Sequence, residues 1–209
     1  LADEKNVILI FDECTSGFRE TYGGIHMKYG VTPDMAMFGK ALGNGYAITS
    51  VVGKKYIMNN AQKSFISSTF WTERAGPTAA LKTLDIMQRT KSWNIISQKG
   101  KFFKKKLKDL GKKYNLPIEV FGNNGIPSFT FNCKKNLEYK TFITQEMLKL
   151  NILATNVIYM SVKHDLKKIN YYFNCLEPIL EKIADCEEGY KIEKLLEGPV
   201  CHSTFQRLN

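Results

Sequence analysis

Two charged side chains stand where a buried strand gives out. The run "VILIFDE", Val7 to Glu13, is five apolar residues ending on Asp12 and Glu13; a second short run, "MAMF", ends on Gly39 and Lys40. A lysine amine condenses with carbonyl carbons and can move protons, and a carboxylate can hold a cationic nitrogen protonated. In open α/β sheets, ligands bind beyond the carboxyl ends of the strands, the place these two residues would occupy. A buried ion pair that only neutralises itself is the alternative, although removing two charges from water returns little stability.

A phosphate loop is a rival reading of "FGKALGNG". It fails because the first glycine of G-x-x-x-x-G-K-[ST] would fall on Asp34, and Ala41 stands where a magnesium-binding hydroxyl belongs. Pyridoxal phosphate needs a different set: a carboxylate on the pyridine nitrogen, a lysine for the Schiff base, and hydroxyls and N–H groups for the phosphate. Asp12 and Lys40 supply the first two.

The elements that must position them are short. "NVILIFDE" reads as a strand buried on both faces, because it is apolar without alternation. The glycine-punctuated loop "TSGFRETYGG" follows, then "MAMFGK" and "YAITSVVG" as further strands. "PTAALKTLDIMQ" has proline at a plausible first helical turn, and helical character continues from Trp93 towards Tyr114. Beyond that, "LPIEVFG", "IPSFTFNC" and "ILATNVIYMS" read as strands, and "YKTFITQEMLKLN" and "DLKKINYYFNCLEPILEKIADC" as helices. The expected fold is α/β: a mostly parallel sheet in residues 1–92 and a small α+β domain in 93–209.

The chain of 209 residues is 44% hydrophobic with a net charge of +10, enough apolar material for a real core. Much of the charge sits in "KGKFFKKKLKDLGKKY", where Phe103, Leu107, Leu110 and Tyr114 form one apolar stripe and the lysines a solvated face. No zinc-finger, RNP-like or arginine-rich pattern supports nucleic acid as a partner. Five scattered cysteines without a C-x-x-C spacing suggest neither disulfides nor a zinc cage, and the three histidines suggest no catalytic metal. No apolar run reaches the ~20 residues of a membrane helix, so a cytoplasmic location is expected.

Three stretches in order, "ILIFDECTSGFRETYGG", "GVTPDMAMFGKALGNG" and "SSTFWTERAGPTAAL", resemble the class III pyridoxal-phosphate aminotransferases, with most similarity to glutamate-1-semialdehyde aminomutase and its relatives. The carboxy-terminal "LLEGPVCHSTFQRLN" is similar to members acting on other amines or keto sugars. The resemblance implies a fold type I transferase in which Asp12 contacts the cofactor's ring nitrogen, Lys40 forms the Schiff base and Cys14 packs against the ring. Thr69 would reach the phosphate of a cofactor in the partner subunit of a homodimer; capping a helix is the other role open to it. Substrates would be a small-molecule amine donor and a keto acceptor, with Lys40 as general base. Glu13 would orient Asp12 or pair with Arg19, with a solvent-facing or loop-anchoring salt bridge as the other role open to it, and Glu73 and Arg74 could reach substrate. Family members are roughly twice this length, so the chain is expected to be the carboxy-terminal half of such an enzyme and to bind cofactor poorly alone; a non-catalytic remnant serving as a binding or regulatory subunit is the other reading.

Overall fold

A computed structural model describes residues 1–203; the last residues of the carboxy-terminal stretch, 204–209, lie outside the described residues. The chain divides into two compact units, Leu1–Ser97 and Gln98–Asn209.

The first unit carries a three-stranded mixed sheet in the order β1 (Ile10–Asp12), β2 (Met35–Phe38), β3 (Ser50–Gly53). β1 and β2 run parallel with Asp12 opposite Met37, and β3 returns antiparallel with Val51 opposite Met37. Parallel pairing brings the carboxyl ends of β1 and β2 to one end of the sheet. After β3 come a one-turn helix α1 (Lys55–Met58) and the long α2 (Ala75–Thr90). Pro77 sits in the first turn of α2, where its missing N–H has no intrahelical partner to lose. Ala80 of α2 joins Ala36, Phe38 and Leu42 in a small core, with Phe18, Ile48 and Leu84 packed against it.

β1 departs from the sequence expectation. Only Ile10–Asp12 is regular strand, and Val7, Ile8 and Ile10 are 60%, 52% and 50% exposed. The apolar run was read as a central strand covered on both faces, a burial that depends on a layer above, a layer below and a neighbour on each edge. Among the described residues β1 has one neighbour, β2, and is an edge strand.

α3 (Ser92–Lys113) leads into the second unit, where β4 (Ile118–Phe121) and β5 (Ser128–Phe131) form an antiparallel pair flanked by α4 (Asn136–Lys149) and α5 (Leu166–Glu187). The core is aromatic: Phe129, Phe131, Tyr139, Phe142 and Phe173 are buried together with Leu176, Leu180 and Ile183. Phe103 and Leu107 of α3 are buried as the helical period requires, while Lys101, Lys105, Lys108 and Lys112 face solvent. "ILATNVIYMS" does not form a regular strand. It runs extended beside β5, with Phe129 N–H donating to the Asn156 carbonyl and Ile158 N–H to that of Pro127, and registers only as an isolated bridge between Ser128 and Val157. Among the described residues no helix is long and apolar enough to cross a membrane.

Candidate active site

Asp12 is the last residue of β1, and Lys40 follows Gly39 directly after β2, so parallel pairing alone sets both at the same sheet end. Lys40 has φ +39°, a left-handed backbone that costs a non-glycine residue free energy. Such strain collects at functional sites, where surrounding structure holds a side chain to one direction.

Asp12 is exposed, and its Oδ1 accepts from the Cys14 N–H at 3.0 Å. That bond, then the Cys14 thiol, and in smaller measure the positive charge of Lys40, hold its carboxyl below the usual range despite some desolvation. Asp12 is thus an anion, facing solvent, near a lysine. The self-neutralising pair is not what forms: among the described residues no ion pair joins Asp12 to Lys40, and the Lys40 Nζ donates instead to the Thr15 hydroxyl at 2.7 Å. Cys14 lies over the glycine before the lysine, since a Cβ on Gly39 would stand 3.6 Å from its Sγ. Desolvation first, then the neighbouring Asp12, push the Cys14 thiol up, which leaves it a packing group rather than a nucleophile.

Glu13 has the job that sequence left open. It is 2% exposed and accepts from the Ser16 hydroxyl, from the Ile25 and His26 N–H groups at 3.0 Å each, and meets His26 Nδ1 at 3.0 Å. Burial works against its charge, and these donors outweigh burial, so its carboxyl lies below the usual value. One carboxylate therefore ties both ends of loop 14–26 to the end of β1. Gly17 lets the loop pass: a Cβ there would come within 2.7 Å of Phe38 Cδ1 and 2.8 Å of the Glu13 carbonyl oxygen. Arg19 Nε donates to the Thr15 carbonyl at 2.7 Å.

Thr69 is not brought to this cluster. It lies exposed between Ser64 and Glu73, and no hydrogen bond joins it to Asp12, Cys14 or Lys40 among the described residues. Glu73 accepts from the Ala75 and Gly76 N–H groups at 2.8 and 3.2 Å and so caps α2. Thr15 went unnoticed in the sequence; its signal was a hydroxyl three residues beyond the last position of β1, the strand that ends on Asp12. Among the described residues no cluster of His, Cys, Asp or Glu could hold a metal ion.

The family model for aminotransferase class III matches residues 1–163. The chain belongs to the class III aminotransferase family. The 3-aminobutyryl-CoA aminotransferase of Cloacimonas acidaminovorans is 33% identical over 194 residues, covering 90% of this chain and 46% of that protein. A glutamate-1-semialdehyde 2,1-aminomutase of Methanococcus maripaludis is 27% identical over 200 residues, covering 88% and 47%. Among solved structures, the FumI protein of Sphingopyxis sp. MTA144, in a form described as the PLP internal aldimine, superposes with a TM-score of 0.81 at 19% identity over 93% of this chain and 48% of that one. An omega-transaminase from Sphaerobacter thermophilus does so with a TM-score of 0.79 at 17% identity, over 88% and 46%. These likenesses establish the α/β fold of the family's transaminases. The chain spans about half the length of the relatives it matches.

Proposed function

We propose that this chain carries the lysine-bearing half of a pyridoxal-phosphate-dependent aminotransferase or aminomutase. The observation that carries the reading is the convergence of an ionised Asp12 and a strained, outward-reaching Lys40 at one end of a parallel strand pair, in a chain of this family. The donor set fits the ring end of the cofactor: an exposed anion for the ring nitrogen, an amine for the aldehyde carbon and a small apolar thiol beside them.

When bound, pyridoxal phosphate supplies an electron-accepting ring and an aldehyde carbon that carries an amino group from donor to acceptor. Asp12 would hold the proton on the ring nitrogen, and its lowered pKa keeps it charged for that task. Lys40 Nζ would hold the cofactor at its aldehyde carbon. As a free amine, Nζ would take and return the proton at the substrate's amine-bearing carbon, as a general base. Thr69 would contribute to the phosphate of a cofactor in a partner subunit, which requires a homodimer. Residues 1–92 would be the second half of the cofactor-binding large domain and 93–209 the small carboxy-terminal domain. The substrates are an amine donor and a keto acceptor; the names of the relatives support both transfer between molecules and transfer within one skeleton. Five free thiols fit the reducing cytoplasm.

Borohydride reduction of the complete protein with pyridoxal phosphate, followed by peptide mapping, tests this. Label is expected on Lys40 and lost in Lys40→Ala; label spread over surface lysines would sink the assignment.

A further inference from the structure

The Lys40–Thr15 contact has no part in the scheme above, yet it engages the reacting nitrogen itself. Thr15 is held from two sides, by Lys40 on its hydroxyl at 2.7 Å and by Arg19 Nε on its carbonyl at 2.7 Å. The loop it stands on is tied down by the buried Glu13. A half-buried threonine so anchored is a fixed acceptor.

We propose that Thr15 is a positioning residue of this site: its hydroxyl is the resting place of the Lys40 amine whenever that amine is free. The proposal rests on the pyridoxal-phosphate reading and adds a residue to it. A displaced lysine with four rotatable carbons would otherwise scatter over many rotamers, and each return to the reacting carbon would require a search. An acceptor beside the sheet end keeps Nζ within reach. The neutral hydroxyl suits the task better than the carboxylate nearby. A charge-assisted bond to Asp12 is roughly twice as strong and would keep the amine from leaving, whereas a hydroxyl lets go at small cost. It also leaves Asp12 free for the ring nitrogen. No bond is made or broken at Thr15, and its proton stays on the oxygen.

The test uses the cofactor-free complete protein, trace-labelled with acetic anhydride and read by peptide mapping, with exposed Lys101 as internal reference. Held against the half-buried hydroxyl, Nζ meets the reagent in fewer orientations than a lysine that swings freely. Thr15→Val should therefore acetylate at Lys40 about fivefold faster than wild type, and Thr15→Ser within about twofold of it, as expected for loss and retention of one neutral hydrogen bond. Thr15→Ala, which removes the hydroxyl without added bulk, repeats the experiment should valine disturb the loop. In the cofactor-loaded enzyme, Thr15→Val should lower kcat about fivefold with KM little changed, and serine should restore it. Equal acetylation in wild type, valine and alanine variants overturns the proposal, as do a serine variant that behaves like valine and an unchanged kcat. Borohydride labelling of the wild type stands apart: absence of label on Lys40 overturns the cofactor reading, while the acetylation ratio still reports the Thr15–Lys40 bond.

Discussion

At the scale of single residues, carboxylates do two kinds of work in the first unit. Asp12 stays exposed and charged at the sheet end, whereas Glu13, one position on, points inward and organises thirteen residues of loop through its donors. Alternation of side chains along a strand dictates that division. Asp34 does similar structural work at the other end of β2. It accepts from Lys54 Nζ at 2.7 Å, the Leu9 N–H at 2.8 Å and the Tyr56 hydroxyl at 3.1 Å. The Lys54 bond above all, then the Leu9 N–H, bring its carboxyl down from 3.8 to about 2. Because the folded value is depressed, its stabilising effect is complete above the unfolded value and is lost as pH falls through the folded one. Asp34→Asn should therefore melt below wild type at neutral pH, with the gap closing between about pH 4 and about pH 2. Thermal melts across that range check it, and a constant gap would show that Asp34 acts without its charge.

At the scale of elements, helices were more legible than strands. α2, α3, α4 and α5 lie where their periodicity puts them, because a helix satisfies its own backbone and needs a partner for one face only. Strands depend on neighbours. "ILATNVIYMS" has the composition of a strand, but its pairing with β5 is too irregular to make one. α5 shows how a local signal fixes a boundary: Asp165 accepts from the Lys168 N–H at 2.8 Å and caps the helix, which runs on through Pro178. Removing the cap in Asp165→Ala should cost about 1 kcal/mol, read as a lower urea midpoint with unchanged slope. An unchanged midpoint would mean that the aromatic core alone holds the α5 start.

At the scale of the whole molecule, the two units differ in how much they cover. The second buries Phe103, Phe129, Phe131, Tyr139, Phe142 and Phe173 and leaves Phe121, Tyr159, Tyr171 and Tyr190 exposed, while the first leaves Val7, Ile8, Ile10, Val51, Val52, Phe65, Phe70 and Trp71 in solvent. Apolar surface of that extent on a sheet edge and its flanking segment favours association. Relatives about twice as long suggest what would cover it: the other half of the family fold. Residues 1–209 alone should self-associate with concentration in sedimentation and show little absorbance change with pyridoxal phosphate. Supplying the rest of the fold should restore the cofactor signal, and strong binding by the lone chain would refute the dependence.

By itself the sequence determined the chemistry on offer, Asp12 and Lys40 at two strand ends with Cys14 beside them, and it determined the helices, since these are local properties of residue type and spacing. Only tertiary structure decided what those groups touch. Parallel register set Asp12 and Lys40 at one sheet end, and the Lys40 amine, on a backbone of positive φ, found Thr15 rather than Asp12. Burial of "VILIFDE" was not legible for the same reason: coverage of a strand is a property of its neighbours, and β1 has one.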